Sequence, residues 1–173
     1  KNGTLKQMGY FDSQNGVFFQ TNSTTFSVVR RTYTSGSLYD EVIDQANFNM
    51  DTMDGTGGIR NPSGILLDLS KHQMFIIEFS WLGTNVIDFS LMINGKKIML
   101  HRMNHSNVIL TPWSKSGQLP VRAYMENTST VANSTTMSLT CVVVFSNGSP
   151  GDVRQIRSIS SGINNISITA TEK

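Results

Sequence analysis

Apolar and polar residues alternate along most of this chain, and this period of two constrains the fold more than any other feature. The clearest case is residues 87–102, in which two alternating runs flank the pair Asn94-Gly95. Asn-Gly favours a two-residue type I′ turn, because both turn residues need positive φ angles. The pattern therefore predicts a β-hairpin whose register follows by counting outward from the turn. On this count the opposing pairs are Leu91 with Ile98, Phe89 with Leu100 and Asp88 with His101.

Similar alternating runs recur and predict about eight strands. In residues 73–81, Phe75, Ile77 and Phe79 share one face, so we expect a central strand here with Trp81 in the core. Short strands separated by turn residues are typical of sandwiches. The sequence therefore predicts an all-β fold, an antiparallel two-sheet sandwich of jelly-roll type. The other candidate strands are residues 16–20, 25–33, 119–126, 135–146 and 163–169.

Two segments depart from the alternation. Residues 38–46 follow Ser37, with Asp40 three positions later, which resembles a helix-capping pattern and predicts one or two helical turns. Residues 51–64 contain four glycines and one proline, which predicts a long irregular loop at the rim of the sandwich. At most one short helix is therefore expected in the whole chain.

The domain boundaries follow from these patterns and from a linker-like run at residues 146–151. We expect an N-terminal extension over residues 1–9 and a β-sandwich domain over residues 10–146. Residues 147–173 are expected to be a linker and a β-rich tail. That tail is too short for a core of its own, so it adds strands to the body, pairs with a neighbouring chain or begins a further domain.

Charged residues are scarce in this chain. They make up 15% of its 173 residues, against about 25% in an average protein, and the net charge is +2. Without a block of like charges, neither nucleic acid nor a membrane is expected as a partner. A weakly charged surface lets copies pack side by side without strong repulsion, which favours a homo-oligomer. The single cysteine, Cys141, lies in an apolar run and is predicted to be buried.

Asp51 and Asp54 come closest to a metal site. Their segment resembles a calcium loop, but Met53 occupies a ligand position and Asn61 stands where an EF-hand has its glutamate. Asx turns, in which Asp side chains accept backbone N–H groups, explain the same residues. We favour that structural interpretation and retain Asp51 and Asp54 as the candidate Ca²⁺ ligands.

Motifs for catalysis are missing from the sequence. His101 and His105 would lie about 13 Å apart along a strand, too far to share one metal ion. No nucleophile elbow, phosphate loop, dinucleotide fingerprint or zinc signature occurs. The paired carboxylates of a glycosidase need only approach within about 10 Å in space, so sequence spacing does not test them. We expect a protein that is not an enzyme, with no catalytic residue and no cofactor.

The candidate ligand-binding residues cluster in a loop region. Trp113 follows Thr111-Pro112, where an exposed indole can stack on a sugar ring, although such tryptophans also plug sandwich ends. With Arg102, His105 and Asn107 it forms the candidate glycan-binding set. Asn-x-Ser/Thr triplets would also allow the surface to carry sugars. These seven triplets begin at Asn2, Asn22, Asn104, Asn127, Asn133, Asn147 and Asn165.

An ordered series of short motifs covers about four fifths of the chain. None of the motifs is catalytic. The series runs through Gly9-Tyr10-Phe11-Asp12, Asn15-Gly16-Val17-Phe18-Phe19, Val28-Val29-Arg30-Arg31-Thr32, Gln45-Ala46-Asn47-Phe48-Asn49, Asp54-Gly55-Thr56-Gly57, Asn61-Pro62-Ser63-Gly64-Ile65, Gln73-Met74-Phe75-Ile76-Ile77, Trp81-Leu82-Gly83 and Leu119-Pro120-Val121-Arg122-Ala123-Tyr124.

This series resembles structural proteins of large tailed phages and other large double-stranded DNA viruses. The resemblance implies a β-rich virion component of the capsid-associated, decoration or fibre type. It implies location in the virion, self-association and contacts with other virion proteins. In similar proteins another β-rich segment follows, which would make residues 152–173 the start of a longer part. The alternative function is a glycan-binding module that attaches to host surface glycans, and the two functions can coexist.

Overall fold

The structure is a computed structural model that describes residues 3–80, 83–129 and 135–145, and the backbone of residues 157–160 and 166–169. It is all-β with antiparallel pairing, as the sequence predicts. Among these residues no helix is long and apolar enough to cross a membrane. The described elements are β1 (Thr4–Phe11), β2 (Gly16–Asn22), β3 (Thr25–Thr32), β4 (Tyr39–Asp44), a 3-10 turn (Gln45–Asn47), β5 (Met74–Phe79), β6 (Ile87–Ile93), β7 (Lys96–Met103), β8 (Val121–Asn127), β9 (Thr136–Leu139), β10 (Cys141–Val144), β11 (Arg157–Ser160) and β12 (Ile166–Thr169).

Eight of the strands form the two sheets of the sandwich. The first sheet has the order β4-β3-β2-β1-β8 and the second the order β5-β6-β7. β8 returns to pair with β1 after the chain has built the second sheet, like the return strand of a Greek key. β5 lies at an edge of its sheet, so the expected central position of residues 73–81 is wrong and β6 is the central strand.

The predicted hairpin is present, with a change of register. Asn94 and Gly95 have φ angles of 52° and 74°, as a type I′ turn requires. Leu91 lies opposite Ile98 as expected, but a β-bulge follows and Leu100 is the extra residue. The pairings farther from the turn are therefore corrected. Phe89 lies opposite His101, and Asp88 lies opposite Arg102.

The helix expected over residues 38–46 is wrong. β4 occupies most of that segment, and only residues 45–47 turn helically. Pairing with β3 explains the outcome, because Arg31 donates to both carboxylate oxygens of Asp40 at 2.8 Å and Arg30 donates to Glu41 at 2.7 Å. Cross-strand ion pairs of this kind outweigh a weak local capping signal.

Strands also occur outside the range expected for the sandwich domain. The expected extension over residues 1–9 contains most of β1, which pairs with both β2 and β8. At the other end, β11 pairs with β10 and β12 pairs with β9, so the tail supplies strands to its own chain. Cys141 is exposed rather than buried. Trp81, expected in the core, lies outside the described residues.

The core fills the space between the facing sides of the two sheets. Phe19 and Phe26 of the first sheet meet Phe75 and Phe89 of the second. The ring of Phe19 lies 4.7 Å from that of Phe75 and 5.3 Å from that of Phe89, in tilted and edge-to-face geometries that aromatic pairs favour. Met53, from the segment between the sheets, is fully buried in the same core.

Candidate interaction surface

The candidate Ca²⁺ ligands form Asx turns instead. The Asp51 side chain is buried, and its Oδ1 accepts hydrogen bonds from Met53 N at 2.9 Å and Asn61 Nδ2 at 2.6 Å. Its Oδ2 accepts a bond from Ser63 N at 2.9 Å. Asp54 is exposed, and hydrogen bonds from the hydroxyl and N–H of Thr56 lower its pKa. In the described part of the chain no three His, Cys, Asp or Glu side chains are placed to share a metal ion.

The irregular segment over residues 51–64 is present as predicted, but it is not simply a rim loop. Thr52, Met53 and Asn61 are buried as well as Asp51. The buried Asp51 carboxylate holds the two ends of the segment together, because its partners lie at both ends. These carboxylates therefore stabilise the loop rather than forming an open cation site.

The candidate glycan-binding residues do not form one exposed set. Trp113 is 3% exposed and packs edge-to-face on Phe79, with ring centroids 6.0 Å apart. His105 is 5% exposed. Arg102 and Asn107 are exposed, and Arg102 donates to both carboxylate oxygens of Asp88. Trp113 therefore plugs the sandwich and offers no platform to a sugar.

Glu41 is the centre of a polar cluster that joins three parts of the chain. It accepts a bond from Arg30 at 2.7 Å, and its carboxylate lies 3.9 Å from Nε2 of His105. His105, and then the Arg30 charge, lower the pKa of Glu41 to about 2. Burial lowers the pKa of the neighbouring His101, whose Nδ1 accepts the N–H of Asn49. The contacts of Glu41 join β3, β4 and the loop after β7, so the cluster is structural.

The other face of the five-stranded sheet contains a second apolar cluster. Phe11 lies opposite Gly16, and Phe18 lies opposite Gly9. The two rings contact each other diagonally in a tilted geometry, with centroids 4.5 Å apart. A Cβ at Gly9 would lie 2.6 Å from Cβ of Phe18, so each phenylalanine requires a glycine across from it. The repeated Gly-x-Phe spacing of β1 and β2 thus builds a small aromatic layer.

Two arginines cover this layer in equivalent ways. The guanidinium of Arg31 lies 5.2 Å from the centre of the Phe18 ring, and that of Arg122 lies 5.4 Å from the Phe11 ring. Both distances are within the range of cation–π attraction. Arg31 also pairs with Asp40 on the next strand. Arg122 is exposed and takes part in none of the ion pairs among the described residues, since β8 ends the sheet.

Three side chains of β8 form a line on this face. The Arg122 guanidinium lies 5.1 Å from the centre of the Tyr124 ring, and the Tyr124 hydroxyl donates to Glu126 at 2.9 Å. That bond raises the pKa of Tyr124. Along the strand, Arg122 and Glu126 are about 13 Å apart, so they do not neutralise each other. β8 thus has opposite charges at equal distances from its central residue.

Sequence reasoning missed this line of side chains. Residues 119–126 were predicted to be a strand, but nothing in that prediction identified an edge of the sheet. The signal was present as Arg122-x-Tyr124-x-Glu126, with opposite charges four residues apart and an aromatic residue between them. On a strand this spacing places all three on one face.

Comparisons with protein-family models, curated proteins and solved structures find no match to this chain.

Proposed function

We propose that this chain is a non-enzymatic structural protein of a virion that acts through contacts with copies of itself and with other virion proteins. The observation that carries the proposal is that the clustered ionisable groups of the chain form ion pairs and hydrogen bonds within the fold. Arg30 with Glu41, Arg31 with Asp40, Arg102 with Asp88, and the Asp51 network each join neighbouring strands or close a loop. Ionisable groups that are engaged in structural contacts favour a rigid structural protein over an enzyme.

The exposed surface supports the same proposal. Several large apolar side chains in the described part extend into solvent, among them Ile59 at 99% exposure and Leu110 at 102%. Exposed apolar side chains of this size are available for contacts with neighbouring proteins. The resemblance of the motif series to virion proteins adds a context in which such surfaces are covered by neighbours.

Quantitative mass spectrometry of purified particles tests this function. Particles of the virus that encodes the chain are purified on a density gradient and washed in high salt. A structural role predicts that the chain stays with the particles in a fixed ratio to the major capsid protein. Absence from washed particles, with abundance in the infected-cell extract, would overturn the proposal.

A further inference from the structure

We propose that β8 is a self-pairing edge, at which two copies of this chain join in antiparallel fashion about a two-fold axis through Tyr124. The inference deepens the proposed function, on which its biological meaning rests. It names the surface and the partner, a second copy of this chain.

β8 ends the five-stranded sheet. It pairs with β1 on one side, and none of the other described strands pairs with it. An unpaired edge presents a row of backbone N–H and C=O groups that can accept another strand. Addition of a strand at such an edge is a recurrent mode of protein association.

The charge pattern of β8 is complementary to itself. In an antiparallel pair centred on Tyr124, the Arg122 side chain lies opposite Glu126 of the second copy, and the reciprocal pair forms by symmetry. In any two-fold interface each contact between the copies occurs twice, once on either side of the axis. The centre of the register is also the centre of β8, so the two ion pairs lie symmetrically about Tyr124. On the opposite face, Ala123 then meets Met125 of the second copy.

Packing within one chain prepares Arg122 for this contact. Two rings hold its guanidinium, at 5.4 Å from the centre of Phe11 and 5.1 Å from the centre of Tyr124. The related Arg31 has the same support from Phe18, and its carboxylate partner, Asp40, comes from the next strand of the sheet. For Arg122 none of the described strands takes that place. A second β8 supplies that strand, and Glu126 supplies the carboxylate.

Two of the three other sheet edges of the sandwich, those of β4 and β7, lack this property. A pair of β4 strands centred on Val42 would place Asp40 opposite Asp44, and like charges directly opposite are destabilising. The outer edge of β7 is covered, since the N–H groups of Met50 and Asp51 both donate to Leu100 O. Self-association through β8 is therefore favoured over both.

A cysteine at the symmetry centre gives the most direct test. In the proposed dimer the two Tyr124 Cα atoms face each other at about 4.5–5.5 Å, which a disulfide can span. Tyr124→Cys in a Cys141→Ser background is expected to form a covalent dimer under mild oxidation. Val42→Cys in the same background is the matched control at the β4 edge, and it should remain monomeric. A folded Tyr124→Cys variant that does not cross-link, or equal cross-linking of both variants, would overturn the proposal.

The second test exchanges the charges of β8 and measures dimerisation of the full chain by sedimentation. In the Arg122→Glu variant, the new glutamate of each copy lies opposite Glu126 of the other copy. This repulsion is expected to weaken dimerisation about tenfold or more. The double variant Arg122→Glu with Glu126→Arg restores both ion pairs and should recover the dimer. Circular dichroism establishes that each variant is folded. Loss of the dimer in both variants, or in neither, contradicts the proposed register.

The two proposals fail in different ways. A wild-type chain that stays monomeric at all concentrations, yet is abundant in particles, overturns the β8 interface and leaves the structural function standing. A β8 dimer that is absent from particles overturns the function and leaves the interface standing.

Discussion

Phe18 on β2 lies directly opposite Gly9 on β1. The two are so close that a Cβ added at residue 9 would be 2.6 Å from Cβ of Phe18. The same atom would lie 2.4 Å from the carbonyl oxygen of Val17. Neither contact can be relieved by rotating a flexible side chain. The glycine is therefore required by the space between the strands, and not by its own backbone angles.

Gly9→Ala is expected to destabilise the protein by about 2–3 kcal/mol, because it overpacks a site bounded by backbone. Urea unfolding measures the change. Gly57→Ala is the control, since nothing lies within 4 Å of its added Cβ and only its φ of 72° opposes a side chain. That variant should lose about 1 kcal/mol. Equal losses in the two variants would contradict the steric explanation.

Glu41 is expected to make stability depend on pH. Its pKa falls from an ordinary 4.5 to about 2 in the folded protein, through His105 and Arg30. The stabilisation is fully present above pH 4.5, and it is lost as pH falls from there towards 2, because the unfolded chain binds the proton first. The carboxylate is 32% exposed, so solvent screening reduces the effect to about 1 kcal/mol.

Glu41→Gln tests this relationship, because the amide keeps the shape and removes the charge. Urea unfolding at pH 7 should show the variant less stable than wild type, and the difference should shrink by pH 3. Glu78→Gln, which breaks the exposed pair with Lys97, serves as the control and should change stability by less than about 1 kcal/mol. A Glu41→Gln deficit of the same size at both pH values would argue against a charge effect.

Trp113→Ala is expected to cost about 3–5 kcal/mol, since the indole is buried against Phe79. Thermal unfolding measures the loss. Leu110→Ala, at a fully exposed position nearby in the chain, should change stability by no more than about 0.5 kcal/mol. A stable Trp113→Ala variant with altered glycan binding would instead return the residue to the ligand-binding role that the sequence suggested.

Asp51→Ala is expected to cost about 3 kcal/mol, because three hydrogen-bond donors lose their acceptor in a buried place. Differential scanning calorimetry gives the change in Tm. Asp54→Ala is the exposed control and should lose much less. Since neighbouring donors already occupy both Asp51 oxygens, added Ca²⁺ should leave the Tm of the wild-type protein unchanged. A Ca²⁺-dependent rise that Asp51→Ala abolishes would restore the calcium hypothesis.

The sequence predicted those parts of the fold that depend on local patterns. The Asn94-Gly95 turn and the pairing next to it follow from φ preferences alone. The β4 strand could not be predicted in this way, because Asp40 and Glu41 form their ion pairs with arginines only when β3 lies beside β4. Local preference is weak compared with such tertiary pairing.

The candidate site was less predictable, for a related reason. Burial of Trp113 depends on Phe79 from a distant strand, and a loop tryptophan has the same sequence context whether it plugs a core or meets a ligand. The role of Arg122 depends on which strand ends the sheet. That is a property of topology, and β8 reaches its place beside β1 from more than a hundred residues away in the chain.

The bulge in β7 determines which face of the sheet each later residue of the strand occupies. Beyond the extra Leu100, Met103 lies opposite the fully buried Ile87, while Arg102 lies opposite Asp88. If β7 paired regularly from the turn, with no bulge, Arg102 would lie opposite Ile87 and its guanidinium would point towards the core. The bulge therefore decides which of two neighbouring residues enters the core, and a chain that paired here without it would need an apolar residue in place of Arg102.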